Sequence, residues 1–247
     1  MATYEFTQGG KRIRLEFGTY AKQADGAVMV SIEDSYLLVA VTVTPEPVST
    51  EDFFPLTVEY REKAYASGRI PGGFFKREGK PTEKEILSSR LIDRAIRPLF
   101  PKDFRNELQV NLSVVCYDGE NDPDIMGILG ASAALVSSSI PFNGPIGGVR
   151  IGYIDSKYII NPTSHEQNES LIDVVIAGTG DSILMVEGSA KEIPESLLLG
   201  AFEFALPYLQ KQVEIQTQIA SELGKQKLIY EVNLPPPELV ELVKTKA

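Results

Sequence analysis

The chain has 247 residues, of which 43% are hydrophobic and 23% are charged, and its formal net charge is −10. This composition is typical of a folded globular protein and excludes a disordered or fibrous chain. One cysteine and one histidine exclude a disulfide framework and argue against a metal site or triad built on these residues. No apolar run approaches the roughly 20 residues that span a bilayer, and the polar start lacks a secretory signal. The sequence therefore predicts a cytoplasmic protein without membrane contact.

The acidic charge is distributed unevenly along the chain. Residues 61–105 hold 12 Lys/Arg and 6 Asp/Glu, whereas the rest of the chain is strongly acidic. A basic segment on an acidic body predicts a focused site for an anionic ligand. The alternative is that charges clustered in the sequence separate when the chain folds.

Alternating apolar residues predict that most of the first 64 residues form β-strands. A hairpin is expected to turn at Gly9-Gly10, and Pro45–Ser49 is expected to break the strand pattern. Further strands are predicted over residues 28–32, 36–43, 56–60, 108–117, 149–154, 157–160, 172–177 and 183–187.

Three helices are expected in the body of the chain. Thr82 followed by Glu85 resembles a capping box, so the first helix should run from there to about residue 96. Small residues mark a second helix over 125–138, and a third is expected over 194–223, kinked or split by Pro207. The apolar face of the first helix is predicted to consist of Ile86, Leu87, Ile92 and Ile96.

The chain changes character after Gly224. A polar stretch and three consecutive prolines precede a short helical pattern at Leu239–Val243, which is too short to be stable alone. We interpret residues 225–247 as a linker and the start of a second domain that follows a first domain of residues 1–224.

A glycine-rich loop over residues 68–79 carries the strongest local signal. Phe74, Phe75, Lys76 and Arg77 combine aromatic rings that stack on unpaired bases with cations that neutralise phosphates. The loop is thus a candidate site for single-stranded nucleic acid. The alternative is that both phenylalanines enter the core and both cations are solvated.

Two charged groups follow the loop. Arg90, Arg94 and Arg97 lie on one helical face and could bind phosphate, although ion pairs such as Asp93 with Arg97 offer a structural alternative. The acidic residues between 118 and 124 lack the spacing of a calcium loop, which favours a solvated loop.

Several long motifs resemble the bacterial polynucleotide phosphorylase family. The resemblance begins at about Glu5 and extends to the C-terminus. The motifs that carry it lie at residues 53–60, 68–79, 89–101, 141–145 and 161–163.

The resemblance implies an α/β (α+β) ribonuclease PH-like fold, with mixed sheets packed with helices, followed by the start of an all-α linker domain. It implies a nucleotidyltransferase that degrades single-stranded RNA processively from 3′ to 5′ with inorganic phosphate and releases nucleoside diphosphates. It also implies Mg²⁺ as cofactor, a homotrimeric ring, and RNA-degradosome proteins as further partners.

In the family, two ribonuclease PH-like halves are joined, and the second half carries the chemistry and the Mg²⁺. This chain resembles the first half. Asp122 and Asp124 fall where the active half has serines that hold phosphate, and carboxylates there would repel phosphate. Gln167 and Asp173 fall where the active half has two aspartates implicated in magnesium binding. The resemblance therefore implies a half with no catalytic or metal-binding residues of its own.

The family's loop that lines the RNA channel matches Phe74, Phe75, Lys76 and Arg77, and Arg90 and Arg94 match arginines of the active half. Three hypotheses remain open at this point. The chain is an inactive half that guides RNA and helps form the ring, or a self-sufficient phosphorolytic enzyme that uses Asp173 and the arginines, or a scaffold that binds other proteins.

Overall fold

Two β-sheets separated by helices form the fold, which is known from a computed structural model describing residues 1–47, 53–72, 78–230 and 237–246. The strands are β1 (Ala2–Gln8), β2 (Lys11–Phe17), β3 (Gly26–Ile32), β4 (Ser35–Pro47), β5 (Leu56–Glu62), β6 (Asn106–Cys116), β7 (Gly147–Ile154), β8 (Lys157–Ile160), β9 (Ile172–Gly178) and β10 (Ile183–Ala190). The α-helices are α1 (Glu83–Ile96), α2 (Pro123–Ser137), α3 (Ser164–Glu169), α4 (Glu195–Leu223) and α5 (Pro237–Lys246).

The first sheet has six strands in the order β1-β2-β3-β4-β6-β5, and the second has four in the order β10-β9-β7-β8. All neighbouring strands are antiparallel except β5 and β6, which are parallel. Helices α1 and α2 lie between the sheets, and α4 packs against the four-stranded sheet. This arrangement confirms the predicted mixed sheets packed with helices.

Helix α2 is the centre of the core, and all 15 of its residues are buried. Its small residues let it approach both sheets closely. A Cβ atom added at Gly130 would lie 2.7 Å from Cγ2 of Val39 on the six-stranded sheet, and one added at Gly148 of the other sheet would lie 2.8 Å from Ile128. The glycines on both sides of the contact therefore set the spacing between helix and sheets.

A lysine beyond α4 binds the C-terminal end of α2. The Lys227 ammonium donates hydrogen bonds to the backbone carbonyl oxygens of Leu135, Val136 and Ser138, at 3.1, 3.3 and 2.8 Å. Burial lowers the pKa of Lys227. The following Tyr230 ring packs against the buried Phe104 at 5.2 Å between centroids. Residues 225–230 thus pack on the first domain, while the boundary at residue 224 stays a prediction.

The N-terminus of α1 forms as predicted, but its buried face differs. The Thr82 hydroxyl accepts from the Glu85 amide at 3.2 Å, and the Glu85 carboxylate accepts from the Thr82 amide at 2.6 Å. Ile86 and Leu87 are 49% and 48% exposed, so their assignment to the apolar face was wrong. The buried face consists instead of Glu85, Ser88, Leu91, Ile92, Ala95 and Ile96.

Strand β4 does not end at the predicted break. It continues to Pro47, which pairs with Asn106 of β6. On its other side, β4 pairs with β3 only as far as Val41. Pro45 and Pro47 lack an amide proton, but β3 does not extend alongside them. Their missing donors therefore break no hydrogen bonds between β4 and β3.

Three helical features also depart from the sequence expectation. Helix α4 is a single 29-residue helix that is not split at Pro207, because packing on the sheet supports it on both sides of the proline. Helix α3 and a 3₁₀ helix at Ala64–Ser67 were not predicted. Within the described ranges, no helix is both long and apolar enough to cross a bilayer.

Candidate functional site

An arginine in the middle of β7 lies at the centre of the site. The side chain of Arg150 is only 11% exposed. Its backbone is fixed by two hydrogen bonds with Asn161. The Asn161 side-chain oxygen accepts from the backbone amide of Arg150 at 2.9 Å, and the backbone amide of Asn161 donates to the Arg150 carbonyl at 2.7 Å. Asn161 has a φ of 47°, a left-handed conformation that asparagine tolerates better than most residues. The guanidinium group is therefore held in a defined position.

The Arg150 guanidinium contacts all four residues that the resemblance placed at degenerate catalytic positions. It donates to carboxylate oxygens of Asp122 and Asp124 at 3.2 and 2.8 Å. It also donates to the side-chain oxygen of Gln167 at 2.8 Å, and its Nε lies 3.5 Å from Asp173 Oδ1. The structure thus brings Asp122, Asp124, Gln167 and Asp173 together around one cation. We call these five residues the Arg150 cluster.

Four elements supply the cluster. Asp122 occupies the N-cap position of α2 and Asp124 lies in its first turn, where the positive end of the helix dipole favours carboxylates. Gln167 comes from α3, whose own capping box joins Thr163 and Glu166. Asp173 lies on β9, and Arg150 lies on the neighbouring β7. The prediction that the acidic loop is solvated was therefore wrong for Asp124, which is buried.

A cleft of about 610 Å³ lies between α1, β10 and the cluster. At one side of it, the Lys84 ammonium lies 3.2 Å from Asp122 Oδ1 and 3.0 Å from Glu62 Oε1. Of the carboxylates that line the cleft, those of Asp122, Asp124 and Asp173 face Arg150, and Asp122 also faces Lys84. An added anion would meet carboxylates at the end of α2 and would have to displace them from the guanidinium.

Asp124 is the most strongly perturbed carboxyl group of the cluster. Burial and the neighbouring Asp122 carboxylate raise the pKa of Asp124 to about 6, against the opposing effect of Arg150 and Lys84. One of its oxygens, Oδ1, is buried without a hydrogen-bond partner among the described residues. The folded state therefore holds a proton on Asp124 at a pH where the unfolded chain does not.

This perturbation predicts a pH dependence of stability. Because the folded pKa of Asp124 lies above the unfolded value of about 3.9, its contribution to stability should fall as pH rises from about 4 to 6. Asp124→Asn removes this contribution. The difference in the free energy of unfolding, wild type minus Asp124→Asn, should decrease over that pH range in urea denaturation.

The control is Glu166→Gln. Hydrogen bonds from Thr163 lower the pKa of Glu166, so its contribution is present above the unfolded pKa and is lost as pH falls. The difference in the free energy of unfolding, wild type minus Glu166→Gln, should therefore increase with pH. Slopes of the same sign for both variants would contradict the assignment of a raised pKa to Asp124.

The residues of the cluster do not suit Mg²⁺. Asp122, Asp124 and Asp173 already face the guanidinium of Arg150, whose charge repels a second cation. In the part of the chain that the structure describes, no group of three or more His, Cys, Asp or Glu side chains is arranged to hold a metal ion.

Arg90 and Arg94 of α1, and Arg97 directly after it, lie in different environments. Arg97 donates to Asp93 Oδ1 at 2.8 Å and to the backbone oxygens of Phe54 and Leu56, both at 3.1 Å. Its donors are thus used within the fold. Arg94 forms an ion pair with Glu187 of β10, and Arg90 is exposed. Arg90 and Arg94 are therefore the two members of the predicted anion site that face solvent.

The predicted RNA-binding residues Phe74, Phe75, Lys76 and Arg77 lie outside the described residues. The sequence interpretation also missed Arg150. An arginine within the apolar segment Gly147–Ile154 is a usable signal, because a buried guanidinium requires carboxylate or carbonyl partners. The capping box of Thr163 and Glu166 could similarly have predicted α3.

The comparison with known protein families agrees with this architecture. Residues 9–141 match domain 1 of the 3′ exoribonuclease family, and residues 144–207 match domain 2 of that family. The chain belongs to the 3′ exoribonuclease family. The first match covers β2 to β6 of the six-stranded sheet together with α1 and α2, and the second covers the four-stranded sheet. The ribonuclease PH-like fold is thereby confirmed.

The chain is also similar to curated proteins named polyribonucleotide nucleotidyltransferase. It is 50% identical to one from Xanthobacter autotrophicus over an aligned region of 222 residues, which covers 90% of this chain and 30% of the relative. It is 52% identical to one from Acidobacterium capsulatum, over 91% of this chain and 28% of the relative. It is also 52% identical to one from Thermomicrobium roseum, over 94% of this chain and 29% of the relative. The resemblance to the polynucleotide phosphorylase family is confirmed, and the chain spans less than a third of these relatives' length.

Proposed function

We propose that this chain is the N-terminal half of a polynucleotide phosphorylase core, which guides single-stranded RNA and helps form a trimeric ring without performing phosphorolysis itself. The observation that carries the proposal is the Arg150 cluster. Its carboxylates and amide stand at the positions where the family's active half is expected to hold phosphate and Mg²⁺. Here those side chains bind a guanidinium of the same chain.

The whole protein would degrade RNA with inorganic phosphate and release nucleoside diphosphates, and its relatives are named polyribonucleotide nucleotidyltransferases. In this proposal, Mg²⁺ and phosphate act in the second ribonuclease PH-like half. The protein would work in the cytoplasm as a homotrimer, and RNA-degradosome proteins would be further partners.

Two groups of this chain are proposed to contact RNA or its phosphates. Phe74 and Phe75 would stack on unpaired bases, and Lys76 and Arg77 would contact phosphates. Arg90 and Arg94 would bind an anion at the exposed face of α1. If they do, replacing both by alanine should weaken sulfate binding in calorimetry, and unchanged binding would leave them as ion-pair residues only.

The proposal predicts that the isolated chain is inactive. Incubation with labelled poly(A), phosphate and Mg²⁺ should release no labelled ADP above a heat-denatured sample of the same preparation. A full-length polyribonucleotide nucleotidyltransferase serves as positive control. Release of ADP by the isolated chain would contradict the proposal and favour the self-sufficient enzyme, with Asp173 and the α1 arginines as its functional residues.

RNA binding by the loop predicts two separable effects. Phe74→Ala/Phe75→Ala should lower affinity for a single-stranded oligoadenylate at every salt concentration, because stacking does not release counterions. Lys76→Ala/Arg77→Ala should reduce the slope of log K against log salt by about 1.4, or about 0.7 for each cation. Fluorescence anisotropy at several salt concentrations measures both. Unchanged affinity in both variants would mean that the loop has no RNA contact.

A further inference from the structure

An exposed tyrosine precedes the glycine-rich loop. Tyr65 is 61% exposed, and five residues later Ile70 is 89% exposed. The nearby Tyr60, in contrast, is fully buried. A single exposed aromatic residue requires no explanation, but two large exposed side chains so near each other in the chain, with charged neighbours, are typical of an interaction surface.

The backbone under Tyr65 is held firmly. It belongs to the 3₁₀ helix Ala64–Ser67, in which the Gly68 amide donates to the Tyr65 carbonyl at 3.0 Å. The Tyr117 amide, at the end of β6, donates to the carbonyl of the buried Ala66 at 2.9 Å. Gly68 ends the turn with a φ of 66°, a conformation that glycine adopts without steric cost. The ring is therefore presented to solvent from a fixed support, which lowers the entropic cost of binding.

Two cationic residues, Lys63 and Arg69, flank Tyr65 in the sequence. Among the described residues, the Lys63 ammonium donates only to the backbone carbonyl of Glu78, at 3.1 Å. Arg69 is exposed, and among the described residues neither Lys63 nor Arg69 forms an ion pair with a carboxylate. Both line a cleft of about 340 Å³ next to the 3₁₀ helix.

The acidic residues of the same cleft are engaged within the protein. Glu62 forms an ion pair with Lys84. The Glu78 carboxylate accepts a hydrogen bond from the Ala64 amide at 2.6 Å. With the charge of Glu62 compensated by Lys84, Lys63 and Arg69 outnumber Glu78, and the described lining of this cleft has a net positive charge.

We infer that Tyr65 is a stacking platform for an unpaired base of single-stranded RNA, with Lys63 and Arg69 contacting the adjacent phosphates. An exposed aromatic ring with two cationic residues within four positions of it in the chain matches the two chemical features of a single strand, a free base face and a charged backbone. Double-stranded RNA does not offer free base faces. The inference rests on the proposed RNA-guiding function and adds a contact outside the loop at residues 73–77.

The chain contains no tryptophan, so Tyr65→Trp introduces a single fluorescent reporter at the proposed contact. Its emission should be quenched when a single-stranded oligoadenylate is titrated, because stacking brings the base against the indole. The matched control is Tyr20→Trp. Tyr20 is also an exposed tyrosine, 46% exposed and near Lys22, but lies in the turn after β2, and its emission should not change.

Affinity measurements with the same oligoadenylate complete the test. Tyr65→Ala should bind roughly 5- to 150-fold more weakly, whereas Tyr65→Phe should bind like the wild type because it keeps the aromatic face. Circular dichroism and thermal unfolding check that each variant folds. Equal weakening of duplex RNA binding by Tyr65→Ala would overturn the stacking assignment.

The inference and the proposed function fail in different ways. If the wild type binds the oligoadenylate but Tyr65→Trp is not quenched and Tyr65→Ala binds normally, only the Tyr65 contact is wrong. If the wild type binds no single-stranded RNA at any salt concentration, both the RNA-guiding function and the Tyr65 contact are wrong.

Discussion

Replacing Arg150 by methionine is expected to lower the free energy of unfolding by about 3–5 kcal/mol, the usual cost of removing one partner from a buried ion pair. Methionine keeps much of the side-chain volume but leaves Asp122 and Asp124 without their shared cation. Since both carboxylates are largely buried, water cannot replace the lost interaction fully. Urea denaturation at neutral pH measures the loss.

Arg14→Met is the control for this prediction. Arg14 also contacts two carboxylates, those of Glu5 and Glu16, but its side chain is 37% exposed, so its replacement should cost about 0–1 kcal/mol. Adding Asp124→Asn to Arg150→Met should recover part of the loss, because it removes one uncompensated charge. Similar losses for Arg150→Met and Arg14→Met would mean that the cluster contributes no more than a surface ion pair.

Gly26→Ala is expected to destabilise the protein by about 3 kcal/mol, at the upper end of the range for overpacked core positions. A Cβ atom at residue 26 would overlap the carbonyl oxygen of Ala134 in α2, and it would also lie 2.9 Å from the Cβ of Ser138. Backbone of a buried helix cannot move aside as a flexible side chain would. The helix and the six-stranded sheet would have to separate.

Gly79→Ala is the matched control. A Cβ atom at residue 79 meets none of the described residues within 4 Å, and the backbone there is not in the left-handed region. This substitution should raise stability by about 0.4–1 kcal/mol, because alanine restricts the unfolded chain. Thermal and urea unfolding of both variants would test the pair, and a Gly26→Ala protein as stable as the wild type would contradict the close contact between β3 and α2.

Elements whose signals are local could be predicted from the sequence. The hairpin at Gly9-Gly10, the capping box of Thr82 and the strands expected at 172–177 and 183–187 all depend on neighbouring residues, and all of them form as expected. Ile86 and Leu87 could not be placed correctly by helical spacing alone. Which apolar stripe of a helix is buried depends on the neighbouring elements, here β5 and α2.

The candidate site was only partly predictable for a related reason. The resemblance identified Asp122, Asp124, Gln167 and Asp173, but it did not identify what they bind. Arg150 lies 26 residues from Asp124 and 17 from Gln167 in the sequence, and only the packing of α2, α3 and the four-stranded sheet brings these side chains together. A contact that depends on several elements at once leaves no periodic signal in the chain.

The ends of α2 have a consequence for its axial position. The helix is buried on every side, and contacts at its two ends act along its axis. Its N-terminal end carries Asp122 and Asp124 bound to Arg150, and its C-terminal carbonyls are bound by Lys227. Negative groups thus meet the positive end of the helix dipole and a positive group meets the negative end. The contacts at the two ends favour one direction of α2 between the sheets and one register along its axis. A shift of the helix by one residue would break both sets of contacts together.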